Sequence, residues 1–351
     1  MPSWQKSYGP TTLAVTWKCR NLDDEMTTVS LATARNLVAD DLAAVEKKMQ
    51  KAVGDAYDPL AEALTGLVRS GGKRVRPMLT LLAGRFHPPD DPEKLISLAA
   101  AIEALHTSTL VHDDVIDGAL LRRGRSTLNA RWTPSSTIMA GDFFFARAAR
   151  LVAETDHPRV IQMFARALEI IVDGELRQAF TARDWSQPKE SYYQRIYGKT
   201  AALFELATQT PAALGAAPEA HETALRRFGY HLGMAFQIVD DVLDFVADEA
   251  TLGKPAGSDL RAGIITLPVY FYIQDPARRE QVIEMLESRP TGDPIVDEVV
   301  ALVRESDAIE QALEEARDFV NRALDDLTTL PAIPARAALA DVARYVVERR
   351  F

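Results

Sequence analysis

The chain has 351 residues, 47% of them hydrophobic, which is enough to bury a substantial core, so it is globular and not disordered. Its formal net charge of -10 argues against nucleic acid as a partner and against docking on an anionic membrane surface. The single cysteine, Cys19, excludes an internal disulfide framework and fits a reducing cytoplasm, and no apolar run reaches the roughly 18 residues that stable membrane insertion needs.

Residues 1–29 combine Gly, Pro and Trp without a hydrophobic period and lack the continuous apolar segment of a signal peptide, so they read as a disordered leader. Met26 would serve equally well as a start. Residues 30–351 read as one all-helical domain. From Ser30 to Leu67 the pattern is helical, with Leu31, Leu37, Val38, Leu42, Val45 and Met49 on one face. Polar or Gly/Pro breaks follow at 54–58, 71–72, 87–92, 133–136, 155–157, 184–188, 211–218, 251–257 and 290–294. The intervening segments are rich in Ala, Leu, Arg and Glu and run about 15 to 25 residues, as in helical bundles. No convincing two-residue alternation marks a strand, and nothing marks a linker long enough to divide the domain.

Chemistry enters at GGKRVRP, residues 71–77, where two glycines free the backbone and Lys73, Arg74 and Arg76 cluster. Such a group suits phosphate oxygens, although taken alone a helix start with solvated cations is the plainer account of it. The stretch LVHDDVID, residues 110–117, then places Asp113, Asp114 and Asp117 within five positions at the end of an apolar run. Asp113 and Asp117 lie one helical turn apart on one face, where like charges repel. A hard cation relieves that repulsion, and Mg2+ is typically held by one or two carboxylates together with substrate phosphates. A lone acidic triplet is also what a solvated helix end looks like. The spacing recurs in FQIVDDVLD, residues 236–244, with Asp240, Asp241 and Asp244, again on a hydrophobic helix where free charge is costly to bury. Arg122, Arg123, Lys199, Thr200 and Lys254 lie around the two clusters, and Arg122 and Arg123 are placed one to two helical turns beyond the first. Acids that hold metal beside bases that hold phosphate describe a site for a polyanionic substrate.

Taken in order, GGKRVRP, HTSTLVHDDVID with its following RRG, GELRQ, GKTA, FQIVDDVLD, GKPAGSDL and TLP resemble the trans-isoprenyl diphosphate synthase, or polyprenyl synthetase, family from about Pro59 to Pro268. The resemblance implies an all-α bundle around a deep cavity, a homodimer, and head-to-tail joining of isopentenyl diphosphate to an allylic prenyl diphosphate. It implies that Asp113, Asp114, Asp117, Asp240, Asp241 and Asp244 flank about three Mg2+ ions holding the allylic diphosphate. By the same likeness Arg122, Lys199, Gln237 and Lys254 contact that diphosphate, and Lys73, Arg76, His106 and Arg123 hold isopentenyl diphosphate. Thr200 and Gln178 line the reacting carbons. His106 also lies seven positions before Asp113, on the same helical face, within reach of the mouth of the site.

Product length follows from helix geometry, since one turn advances about 5.4 Å, close to one prenyl unit. In the family an aromatic floor four or five positions before the first Asp marks short-chain enzymes, and here those positions are Thr109 and Ser108. Ala104 and Ala101 extend a stripe of small side chains further along, so the expectation is a long-chain product of roughly C30 or longer. Close packing of alanines on a neighbouring helix is the other reading, and a floor supplied by Met139 or Phe143 to Phe145 is open. One position departs from the family: Ile264 stands where a lysine usually precedes the TLP turn, and Arg261 is the nearest substitute. Competing functions are a short-chain synthase, a class I terpene cyclase, for which the second diphosphate site is superfluous, and one subunit of a heteromeric synthase.

Overall fold

The structure is a computed structural model that describes residues 31–54, 56–70, 72–122, 124–246, 255–287 and 293–348. The leader expected at residues 1–29 lies outside these, as do Arg123 and Lys254.

The described residues are predominantly helical: α1 (Leu31–Leu37), α2 (Ala39–Val53), α3 (Asp58–Ser70), α4 (Val75–Gly84), α5 (Pro92–Ile116), α6 (Pro134–Ala153), α7 (Pro158–Thr181) and α8 (Lys189–Ile196). A single wide π turn, Tyr197–Ala201, joins α8 to α9 (Ala202–Leu214). The long α10 (Glu219–Val246), the short α11 (Ser258–Arg261) and α12 (Leu267–Tyr272) follow, then α13 (Pro276–Glu287), α14 (Asp293–Arg304), α15 (Ala308–Leu327) and α16 (Pro334–Glu348).

Several helix starts are written as a capping residue followed by proline. Asp91, Thr133 and His157 each accept a backbone N–H of the first turn, and Pro92, Pro134 and Pro158 need no donor there. The break expected at 133–136 is therefore largely the first turn of α6. The one expected at 211–218 also begins late, because Pro211 sits inside α9, which runs to Leu214. On the N-terminal pattern, Val38, Leu42, Val45 and Met49 are buried as expected, but Leu37 turns outward at the junction of α1 and α2. A two-residue hairpin, Leu121–Arg122 with Arg125–Ser126, was not foreseen; Gly118 and Gly124 hold the left-handed backbone that lets the chain leave α5 and reverse. Arg122 thus lies on a hairpin and not on a continued helix.

At the centre α5 packs along α6, while α10 packs on α9 and α15. Helix α5 is apolar on nearly every side, as a helix enclosed by others must be. It is the one described helix long and apolar enough to cross a membrane, contrary to the expectation that no such run exists, and most of it is buried inside the bundle. Both acidic sequences end their helices. Asp113, Asp114 and Asp117 close α5, and Asp240, Asp241 and Asp244 stand in the last two turns of α10.

Candidate active site

The helix ends meet at one cavity of about 1370 Å³. Asp113 and Asp117 from α5 and Asp241 from α10 all line it, joined by Arg122, Lys199, Gln237 and Gln178. Away from these polar groups the wall is Leu105, Phe145, Leu168 and Ile171. Leu105 lies eight residues before Asp113 on the same helix, which places the apolar wall about 12 Å along the axis.

Burial makes the acids costly to ionise. The Asp113 carboxyl is pushed up to about 6, first by burial and then by Glu175 and Asp117, against the pull of Lys199 and Arg122. Asp241 is raised as well, by burial and by Asp259, although it accepts from Tyr192 Oη at 2.8 Å and from Gln237 Nε2 at 2.7 Å. Thr200 Oγ1 in turn donates to Gln237 Oε1 at 2.5 Å, so a continuous relay ties the π turn to the second acidic cluster. Lys199 pairs with Glu175 at 3.3 Å. Burial pulls the Lys199 ammonium down, but Glu175, Asp113, Asp117 and Asp259 more than offset this and hold it above its usual value.

The Glu175–Lys199 pair depends on two glycines. A Cβ on Gly198 would stand 2.9 Å from Gly174 Cα and 3.0 Å from Ile170 O, so α7 and the π turn touch backbone to backbone. The residue after each glycine then faces the other.

The remaining expected site residues are dispersed. Asp114 is buried and ion-paired with Arg122 at 2.7 Å, Asp240 is half-buried beside Asp241, and neither lines the cavity. Asp244 is buried and accepts from Ser258 Oγ at 2.6 Å and from Asp259 N at 3.2 Å, which fastens α11 beneath α10. Lys73, Arg76 and His106 lie outside the cavity lining. Lys73 is exposed and donates to Tyr345 Oη at 2.8 Å, and the Arg76 guanidinium stacks 4.8 Å over Phe204. The third base of that cluster, Arg74, turns inward to Glu103 at 2.8 Å and Glu46 at 3.3 Å and pins α4 to α5 and α2.

Ser108 and Thr109 line the cavity, but Ala104 does not. Ala104 and Ala101 are buried in the core, and on the same helical face Ser108 Oγ donates to Gly141 O of α6 at 2.9 Å. The stripe therefore divides: Ser108 both packs on α6 and faces the cavity, while Ala104 and Ala101 stay in the core. Of the alternative floor residues Phe145 is in the wall, Met139 is exposed, and Phe143 is covered by Arg147 at 4.6 Å. Ile264 also lines the cavity, whereas Arg261 is paired with Asp297 and does not, so Arg261 leaves the missing lysine uncompensated. Glu175, Arg195, Asp259, His112 and Asp142 are cavity residues that the sequence reading did not single out. For Glu175 the available signal was its place in GELRQ beside Gln178.

The donor set suits a hard divalent ion shared with a ligand. Among the described residues no three His, Cys, Asp or Glu side chains converge closely enough to cage a metal by themselves. Carboxylates that open into one cavity, and whose charge burial penalises, fit an ion whose other oxygens come from a bound phosphate.

A polyprenyl synthetase family profile matches residues 57–303. Heptaprenyl diphosphate synthase component 2 of Geobacillus stearothermophilus is 38% identical over 323 residues, which is 92% of this chain and 100% of that protein. The crystal structure of a decaprenyl diphosphate synthase from Rhodobacter capsulatus superposes with a TM-score of 0.84 at 37% identity, covering 91% of this chain and 99% of that one. A polyprenyl synthase from Caulobacter crescentus CB15, complexed with calcium and isoprenyl diphosphate, gives a TM-score of 0.84 at 35% identity, covering 92% and 98%. Two acidic helix ends on one half-apolar cavity, a profile spanning most of the chain and relatives aligned over nearly their full length agree: the chain belongs to the polyprenyl synthetase family.

Proposed function

We propose that the protein is a Mg2+-dependent prenyltransferase that condenses isopentenyl diphosphate head to tail with an allylic prenyl diphosphate. Its product is an all-trans polyprenyl diphosphate of roughly C30 or longer. The observation that carries this reading is the single cavity holding Asp113, Asp117 and Asp241 at its polar side and Leu105, Phe145, Leu168 and Ile171 beyond them. The hepta- and decaprenyl synthases among its relatives support the long product.

Asp113, Asp117 and Asp241 would hold the metal, with Asp114 and Asp240 behind them. When bound, Mg2+ supplies charge stabilisation to the departing diphosphate. Arg122, Lys199 and Gln237 bind that diphosphate from the protein side, and Lys254 is proposed to join them. Lys73, Arg76, His106 and Arg123 are proposed to receive isopentenyl diphosphate. Thr200 keeps Gln237 aimed at Asp241, and Gln178 faces the reacting carbons. The apolar wall excludes water from the allylic cation, which water would otherwise quench.

Ile138 and Met139 on α6 expose apolar surface that a second copy would cover, and a homodimer is the assembly we propose. The relative named as component 2 favours a second reading, a catalytic subunit that works with a different polypeptide. Incubation of the purified chain with labelled isopentenyl diphosphate, farnesyl diphosphate and Mg2+, followed by sizing of the products, tests the activity. Products of C30 or longer that vanish in chelator are expected. Absent turnover with metal would refute the single-polypeptide enzyme and leave the two-polypeptide reading, and undiminished turnover in chelator would refute the metal dependence. A native mass of twice 38.7 kDa would identify the homodimer.

A further inference from the structure

Arg195, in the last turn of α8, is only 7% exposed, yet it lines the cavity. Among the described residues its guanidinium makes one hydrogen bond, to Ile265 O, and a stacking contact 5.4 Å from the Tyr192 ring. No carboxylate lies within ion-pair distance of it among those residues. Asp241 of the same cavity feels its charge without reaching it as an ion pair. A buried cation that no carboxylate contacts directly is expensive, and proteins keep one mainly where an anion arrives to pair with it. The same wall carries Thr266, whose hydroxyl is buried and makes no hydrogen bond among the described residues although it stands at the start of α12. Ile264 lies in this wall too, at the position where the family resemblance leads one to expect a lysine.

We propose that Arg195 is a diphosphate-binding residue of this cavity, supplying from α8 the positive charge that Ile264 cannot supply from the turn before α12. The assignment rests on the prenyltransferase reading and adds a residue to it. Arginine suits the role because its planar fork keeps several N–H donors available after one is given to Ile265 O. The carbonyl bond orients the group, and the free donors face the ligand.

The test uses the full chain and inorganic pyrophosphate with Mg2+ as the probe, measured by calorimetry, alongside steady-state kinetics. Arg195→Gln is expected to weaken pyrophosphate binding at least tenfold and to raise KM for the allylic substrate. The double variant Arg195→Gln with Ile264→Lys is expected to recover much of that affinity, because it returns a cation to the same wall. If Arg195→Gln lowers the melting temperature but leaves pyrophosphate affinity unchanged, Arg195 serves only to brace Ile265 and the assignment is overturned. Should the glutamine variant not fold, Arg195→Lys decides. A smaller pyrophosphate-induced rise in melting temperature than wild type supports the assignment, and an equal rise overturns it. Wild-type chain that binds pyrophosphate but never joins isopentenyl units would instead refute the single-polypeptide prenyltransferase reading, a result separable from any effect at Arg195.

Discussion

Asp241 shows how the chemistry of this site works against the stability of the fold. Its carboxyl is 3% exposed and its ionisation is disfavoured by burial and by Asp259. An acid whose pKa is higher folded than unfolded costs stability once pH passes its unfolded value, and the cost grows as pH approaches the folded one. Asp241→Asn keeps one oxygen for Gln237, turns its amide N–H toward Tyr192 Oη, which then accepts instead of donating, and cannot ionise. In chelator it is expected to melt above wild type, with a gap that widens between pH 5 and 8, while turnover falls by roughly two to three orders of magnitude. Equal melting curves across that range would show that the buried charge is already compensated. Aspartates at this spacing were legible in the sequence because the pattern is rare on an apolar helix. Their division of labour was not, since Asp114 and Asp244 differ from their neighbours only in which way the backbone turns them. Arg195 carried one clue, its four-residue spacing from Lys199.

Between elements, the contact of α7 with the π turn is set by the absence of two side chains. Gly198→Ala would force Gly174 and Ile170 O away from a Cβ at 2.9 and 3.0 Å, and so stretch the Glu175–Lys199 pair. A loss of about 1–3 kcal/mol and roughly tenfold lower activity are expected, read by denaturant unfolding and by kinetics. Gly66→Ala is the control: nothing lies within 4 Å of its added methyl in α3, and a gain of about 1 kcal/mol in helix propensity is expected. The cavity also belongs to this scale. Ser108 is 2% exposed and bound to α6, so a phenylalanine there wedges two helices apart. Thr109 is less enclosed and faces the same space. Thr109→Phe is therefore expected to shorten the product with the fold intact, and Phe145→Ala to lengthen it, both read by product sizing; unchanged lengths in both would move the floor elsewhere. Helix periodicity revealed that Ser108, Ala104 and Ala101 share a stripe but not what faces it, because close packing on a neighbour and a channel wall both favour small side chains.

For the whole molecule, an all-helical bundle was readable from Ala, Leu, Arg and Glu content, segment length and the lack of strand alternation. Three of its features were not. The hairpin at Leu121–Ser126 is too short to leave a period, the π turn differs from an α turn by one residue, and Pro211 stays helical where a stop signal is the usual meaning.

Helix α5 is long and apolar enough to pass for a membrane span, and it is covered largely by α6 and by partners encoded later in the chain. A ribosome that has released only the first 130 or so residues has exposed this segment before most of its cover exists. The nascent polypeptide then presents a greasy stretch to chaperones and targeting factors, and fragments truncated before α6 should aggregate or partition into vesicles while the finished chain does neither.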